Sequence, residues 1–287
     1  MHAGEFAPTP DDVARLLGEQ FPGLRHLPVE RVHSIGTVNA VFRLGDDLCA
    51  RLPLMPDGAD ALRRELYALP IVAPHVTLAV PEVIGRGEPD ELYPLDWAVY
   101  RWLPGQTFGQ ARPPGAPSAR ALAGFVRELR SIPVGDAPGA GRRPLAELDD
   151  MTVAAIERCA PNLDVARALD AWGQLVAAEP WDGAPVWIHA DLLPPNLLVR
   201  DGALSAVIDF GSAGAGDPAF DVVPAWTLFE DADRDLFRRL LGVDDATWHR
   251  AKAYALHQAV IGIPYYRESN PQFVSHMTHT ANRILAA

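Results

Sequence analysis

The chain has 287 residues, 48% of them hydrophobic, and a formal net charge of -12. That length buries about three-quarters of the surface an unfolded chain exposes and stands near the limit for one core, so two lobes are expected. The acidic balance argues against non-specific nucleic-acid binding and against anionic membranes, which need basic patches. Cys49 and Cys159 have neither CxxC spacing nor a His pair nearby, so they read as reduced core residues of a cytosolic protein rather than zinc ligands. No basic segment followed by an apolar one opens the chain, and no apolar run nears the ~18 residues of a membrane span. The expectation is a cytoplasmic protein, monomer or homodimer, with no nucleic-acid or membrane partner.

In chain order, "TPDDVARLLGEQF" predicts a helix capped by Thr9, with Pro10 in its first turn and Asp11 and Asp12 at its positive end. "VERVHSIGTVNAVFRLGDDLCARLPL" alternates apolar and polar residues around Gly36 and then Gly45-Asp46-Asp47, which predicts three strands and two turns. "ADALRRELYAL" has helical spacing, and "AVPEVIGRGEP" and "LDWAVYRWLPG" read as two further strands. Residues 1–103 are thus a small sheet with an inserted helix. From Pro104 to about Pro144 the chain is rich in Pro, Gly and Ala around one helix, "ARALAGFVRELRSI", which marks connections. Residues 104–287 are otherwise helical, "DPAFDVVPAWTLF" included, except for "VWIHADLLPPNLLVRDGALSAVIDFG". There a strand, a loop, and a short hairpin on an Asp-Gly turn follow in order.

That exception carries the chemistry. Asn196 follows Asp191 by 196 − 191 = 5 positions, and Asp209 heads "IDFG" across the hairpin. Two carboxylates and an amide at adjacent loop ends suit Mg²⁺, which takes oxygen ligands, keeps waters and shares substrate phosphates. The order His-x-Asp-x-x-x-x-Asn, hairpin, Asp-Phe-Gly is the catalytic and metal-binding set of protein kinases. Each part alone has a structural explanation: Asp-Phe-Gly is a common turn, His189 a satisfied histidine, Asp191 a loop cap. The ordered set points to phosphoryl transfer. Two other classes remain: a kinase-like binding module without activity, and a metal-dependent hydrolase with His189 and Asp191 as ligands, which lacks a further His cluster.

"WIHADLLPPNLLV", "AVIDFGSAGAGDPAFDVV" and "PYYRESNP" resemble the aminoglycoside phosphotransferase (antibiotic kinase) family over nearly the whole chain, from "SIGTVNAVFRLGDDLCARLP" onward. The resemblance implies an α+β, bilobal, protein-kinase-like fold, with a small antiparallel-sheet N-lobe over residues 1–103 and a mostly helical C-lobe over 104–287. It implies ATP or GTP with Mg²⁺ as cofactors and a small-molecule hydroxyl as acceptor, an aminoglycoside first. Macrolides, nucleosides, choline and homoserine stay open. Asp191 would be the catalytic carboxylate, Asn196 and Asp209 the Mg²⁺ ligands, and His189 a brace. Asp217 and Asp221 would be structural, Asp217 also weighed as a substrate contact.

The N-terminal half departs from the protein-kinase pattern. It has no G-x-G-x-x-G; Gly36, with Ser34, Thr37 and Asn39 beside it, offers a loop over the phosphates. Arg51 stands where a strand lysine is expected, with Glu65 as its partner. Arginine is always charged and binds phosphate through two donors, so the role survives. A charged residue between Leu48, Ala50 and Leu52 needs such a partner. The nucleotide base is expected at the main chain of Tyr100, Trp102 and Leu103. For the acceptor, Glu230, Asp231 and Glu268 would suit a polycation, and Tyr265 and Tyr266 a less charged ligand.

Overall fold

The structure, a computed structural model, describes residues 6–32 and 39–286. The first helix, α1 (Pro10–Gln20), starts on a capping box: the Thr9 hydroxyl accepts from Asp12 N–H, and the Asp12 carboxylate accepts from Thr9 N–H. Strands β1 (Val29–Val32), β2 (Asn39–Leu44) and β3 (Leu48–Pro53) follow, then α2 (Pro56–Val72), β4 (Val83–Gly87) and β5 (Trp97–Arg101). They form one antiparallel sheet in the order β1-β2-β3-β5-β4.

The period of two along these strands separates two cores. Phe42, Leu44, Ala50, Leu52, Trp97 and Val99 point to α1 and close a small core with Val13, Leu16 and Leu17. Ala98 and Tyr100, one step out of phase, face α2 and join the large core. Arg51 shares that second face, paired in register with Val41 and Ala98.

The second half contains β6 (Gln106–Thr107), α3 (Phe108–Ala111), α4 (Gly115–Ser131), α5 (Asp149–Glu157) and α6 (Val165–Val176). Then come β7 (Val186–Ile188), β8 (Leu197–Arg200), β9 (Ala203–Val207) and β10 (Gly214–Gly216). The helices α7 (Pro224–Thr227), α8 (Asp231–Leu241), α9 (Asp245–Tyr266) and α10 (Pro271–Ala286) finish the chain. The helix α9 packs on α10, α5 and α6, and α4 lies against α8 and β7. This is the α+β, bilobal arrangement expected. No described helix is long and apolar enough to cross a membrane.

Three local expectations are corrected. "DPAFDVVPAWTLF" is a 3-10 turn, Pro218–Val222, followed by the four-residue α7, because Pro224 lacks the N–H that would continue the first segment. β6 forms in a stretch that read as connection, and β10 in one that was given no element; both are held by partner strands rather than by propensity, β6 by β8 and β10 by β7. Of the two cysteines, Cys159 is buried, while Cys49 is only half-buried; both are free thiols.

Candidate active site

β7 delivers the loop that carries Asp191. At its end, Asp221 accepts from the N–H groups of His189 and Ala190, each at 2.8 Å. Asp221 is fully buried, which pushes its carboxyl up from the usual range, opposed by His189 and these two donors. The His189 ring is edge-on to Phe210, with centroids 4.6 Å apart. Its Nδ1 accepts from Asp191 N–H and its Nε2–H donates to the Ile208 carbonyl, both at 3.2 Å. Burial lowers its pKa, so it is a neutral brace with both nitrogens engaged. Both ring nitrogens are thus engaged within the fold, which argues against His189 as a metal ligand.

The loop closes through a 3-10 turn, Pro194–Asn196, into β8. Asn196 donates its amide to the Asp191 carbonyl at 2.9 Å and to Asp191 Oδ2 at 3.0 Å. Asn196 Oδ1 accepts no hydrogen bond among the described residues. Arg142 donates from Nη2 to Asp191 Oδ1 at 2.5 Å and from Nε to the Ala190 carbonyl at 2.9 Å. Burial raises the Asp191 pKa, and Arg142 and Asn196 oppose that rise.

Across the hairpin, Asp209 has φ 68 and ψ 69, a left-handed conformation that aspartate tolerates better than most residues. Its Oδ1 accepts from Arg51 Nη2 at 2.7 Å. Arg51 Nη1 donates to both Glu65 oxygens, at 2.9 and 2.8 Å. With its amide oxygen facing the guanidinium, Asn39 accepts from Arg51 Nε at 3.1 Å. Glu65, 1% exposed, also accepts from Tyr100 Oη at 2.6 Å and from Phe210 N–H at 2.8 Å. Burial works against the charges here. The Arg51 guanidinium outweighs it and holds the Asp209 carboxyl below its usual range; Asp209 and Glu65 keep Arg51 charged. One guanidinium thus ties β3, α2 and the segment after β9.

A profile of the phosphotransferase enzyme family matches residues 30–254. The chain belongs to that family. No curated protein matches this phosphotransferase. Among solved structures it is similar to the GDP complex of wild-type aminoglycoside 2'-phosphotransferase-IIIa, at 22% identity and TM-score 0.75, covering 97% of this chain and 99% of that one. The GDP and kanamycin complex of APH(2")-IIia gives 22% identity and TM-score 0.73 over 96% and 98%. The apoenzyme of macrolide 2'-phosphotransferase MphH from Brachybacterium faecium gives 20% identity and TM-score 0.61 over 96% and 97%. At these identities the likeness is one of fold.

The remaining expected residues of this phosphotransferase fall into three groups. Gly36 and Thr37 lie outside the described residues. At the expected base-binding segment, Trp102 N–H is already spent on the Asp47 carbonyl at 2.7 Å, and its ring lies under Arg43 at 4.3 Å. Leu103 N–H makes no hydrogen bond among the described residues. Tyr100 contributes its hydroxyl to Glu65 rather than offering only main chain.

Asp217, Glu230 and Asp231, weighed for the acceptor, are paired with arginines. Asp217 caps the 3-10 turn through Ala219 N–H and pairs with Arg250 at 2.8 Å. Asp231 pairs with Arg234 at 2.8 Å and Arg283 at 3.5 Å; Glu230 lies 3.7 Å from Arg283. These carboxylates serve α8, α9 and α10. Glu268 is exposed on the turn after α9, beside Arg267. Tyr265 is 53% exposed and packs edge-on against Tyr266, which packs likewise on Phe273. A depression of about 500 Å³ is lined by Pro161, Asn162, Arg267, Val274 and Thr278. Two residues that the sequence reading left out stand in the site: Arg142, from a Gly- and Pro-rich connector with no periodic signal, and Asn39, read only as a loop neighbour.

Proposed function

We propose that this phosphotransferase is a small-molecule kinase that moves the γ-phosphoryl group of ATP or GTP to an antibiotic hydroxyl, an aminoglycoside being the first candidate. One observation carries the reading: Arg51 binds Glu65 and Asp209 together while Asn196, at the start of the same hairpin, holds Asp191, so charged groups from both halves of the chain meet around one hairpin. Family membership and the GDP and kanamycin complexes of similar folds support it. We assign residues 1–103 to the nucleotide lobe and 104–287 to the acceptor lobe.

Each proposed residue has one task. The acceptor hydroxyl gives its proton to the Asp191 carboxylate. Its oxygen bonds the γ-phosphorus, and the bond to the β–γ bridging oxygen breaks with the electron pair leaving on the nucleoside diphosphate. Asp191 then returns the proton to solvent. Because the transition state is loose, holding these atoms in line matters more than base strength. Arg51 neutralises phosphate oxygens from the nucleotide side, with Glu65 fixing its plane. The Asp209 carboxylate and the uncommitted Asn196 Oδ1 are hard oxygen donors and fit Mg²⁺. When bound there, Mg²⁺ supplies charge neutralisation of the phosphates. Leu103 N–H and the Trp102 carbonyl, which make no hydrogen bond among the described residues, are proposed to meet the base; Gly36 and Thr37 are assigned to cover the phosphates on the sequence resemblance. An intracellular nucleotide donor places the activity in the cytoplasm.

Asp191→Ala is expected to lower acceptor-dependent turnover about 10²–10⁴-fold, the range for removing a positioned acid–base group. Turnover is measured with ATP and GTP across aminoglycosides, macrolides, nucleoside antibiotics, choline and homoserine. Unchanged turnover in Asp191→Ala would sink the mechanism. Turnover of only choline or homoserine would move the substrate to metabolism. Nucleotide binding that ignores Mg²⁺ and Asp209, without turnover, would point to a binding module.

A further inference from the structure

The two carboxylate oxygens of Asp191 are held from different parts of the chain. Asn196, in the same loop, takes Oδ2; Arg142, 49 positions upstream, takes Oδ1. We propose that Arg142 is the positioning residue of Asp191, fixing the orientation of its carboxylate from outside the catalytic loop. The proposal rests on the phosphotransfer reading of that carboxylate.

The geometry of the contact is specific to a guanidinium. Nε and Nη2 form one edge of the planar fork, and that edge spans the Ala190 carbonyl and Asp191 Oδ1 together. The loop main chain and the side chain are therefore fixed by one rigid group. Ala190 meets it with φ 67, a left-handed conformation unfavourable for alanine. Its N–H goes to Asp221 and its carbonyl to Arg142, so the strained residue is held at both ends.

The backbone of Arg142 is itself anchored. The segment before it runs beside β10: Ala140 N–H donates to the Ala215 carbonyl and Ala215 N–H to the Pro138 carbonyl, both at 2.9 Å. Gly141 N–H donates to the Ser212 carbonyl at 3.0 Å. Because β10 pairs with β7, the connector is in register with the strand that carries the catalytic loop. The approach is so close that a Cβ on Gly214 would lie 2.5 Å from the Pro138 carbonyl oxygen. Arg64, next to Glu65 on α2, donates to the Gly139 and Gly211 carbonyls at 3.2 Å each. The connector is thus tied to the same helix and post-hairpin segment that hold Arg51 and Asp209. Arg142 joins the nucleotide side of the site to its base.

The test compares wild type with Arg142→Met and Arg142→Lys in steady-state kinetics, with thermal unfolding alongside. Arg142→Met is expected to lower kcat about 10²-fold, the cost of a misplaced reacting group, with nucleotide KM unchanged and the unfolding transition still well above the assay temperature. Added guanidinium is expected to restore part of that kcat. Arg142→Lys keeps the charge without the fork and should fall between the two. A kcat unchanged in Arg142→Met, or a loss matched by unfolding at the assay temperature and not rescued, overturns the proposal. A wild type that phosphorylates no acceptor refutes the phosphotransfer reading instead. In that case a crystal structure of Arg142→Met decides the proposal without turnover. Asp191 rotated off Asn196 Nδ2 upholds it, and an unmoved carboxylate overturns it.

Discussion

Arg51 donates to acceptors on three segments: Asn39 on β2, Glu65 on α2 and Asp209 after the hairpin. Removing it in Arg51→Met leaves Glu65 buried without its cation. Breaking a buried pair from one side costs about 3 kcal/mol or more, and urea unfolding should show that loss. Arg51→Lys keeps the charge but cannot reach all three partners. Losing one charge-assisted bond of about 1.5 kcal/mol should raise nucleotide KM about tenfold while the fold stays intact. This pair was legible in the sequence because two short-range periods place it. Strand alternation turns Arg51 away from the α1 core, and helical spacing turns Glu65 toward it. Arg142 was not legible. No period governs "PGAGRRP", and its contact with Asp191 depends on a tertiary register.

At the scale of elements, the weakest sequence signals sit at the most constrained positions. β10 is Gly214-Ala215-Gly216, a composition that predicts no strand, yet it lies between β7 and the 138–142 connector. Glycine is needed because the neighbouring backbone occupies the space of a side chain. Gly214→Ala should therefore destabilise by about 1–3 kcal/mol, the cost of forcing a methyl into packed structure, and denaturant unfolding reads it directly. The capped helix α1, the sheet strands and the hairpin were foreseen because caps, alternation and the Asp201-Gly202 turn are local. The helix expected after Asp217 failed because Pro224 divides it.

At the scale of the molecule, a charge of -12 said little about the acceptor. Asp217, Glu230 and Asp231 are all drawn into pairs with arginines. Buried histidines give the whole fold a pH dependence. His257, half-buried beside Trp172 with its Nδ1 against Thr152 Oγ1, falls from its ordinary 6.5 to about 4 through burial and the charges of Arg142 and Arg143. The unfolded chain takes up that proton first, so stability is full above about pH 6.5 and is lost as pH falls toward 4. At 1.36 kcal/mol per pH unit, the loss approaches about 3 kcal/mol. Unfolding free energies of His257→Gln against wild type, measured from pH 7 to pH 4, should converge by that amount as pH falls. A constant difference would contradict it.

The central claim is that Asp191, Asn196, Asp209 and Arg51 form one phosphotransfer site. The measurement that meets it most directly is mass and ³¹P analysis of the acceptor after incubation with Mg²⁺ and ATP or GTP, for wild type and Asp191→Asn. The expected result is a phosphomonoester on the acceptor with wild type, and none above background with Asp191→Asn. Equal phosphoester with both proteins, or release of inorganic phosphate alone whatever the acceptor, would contradict the account.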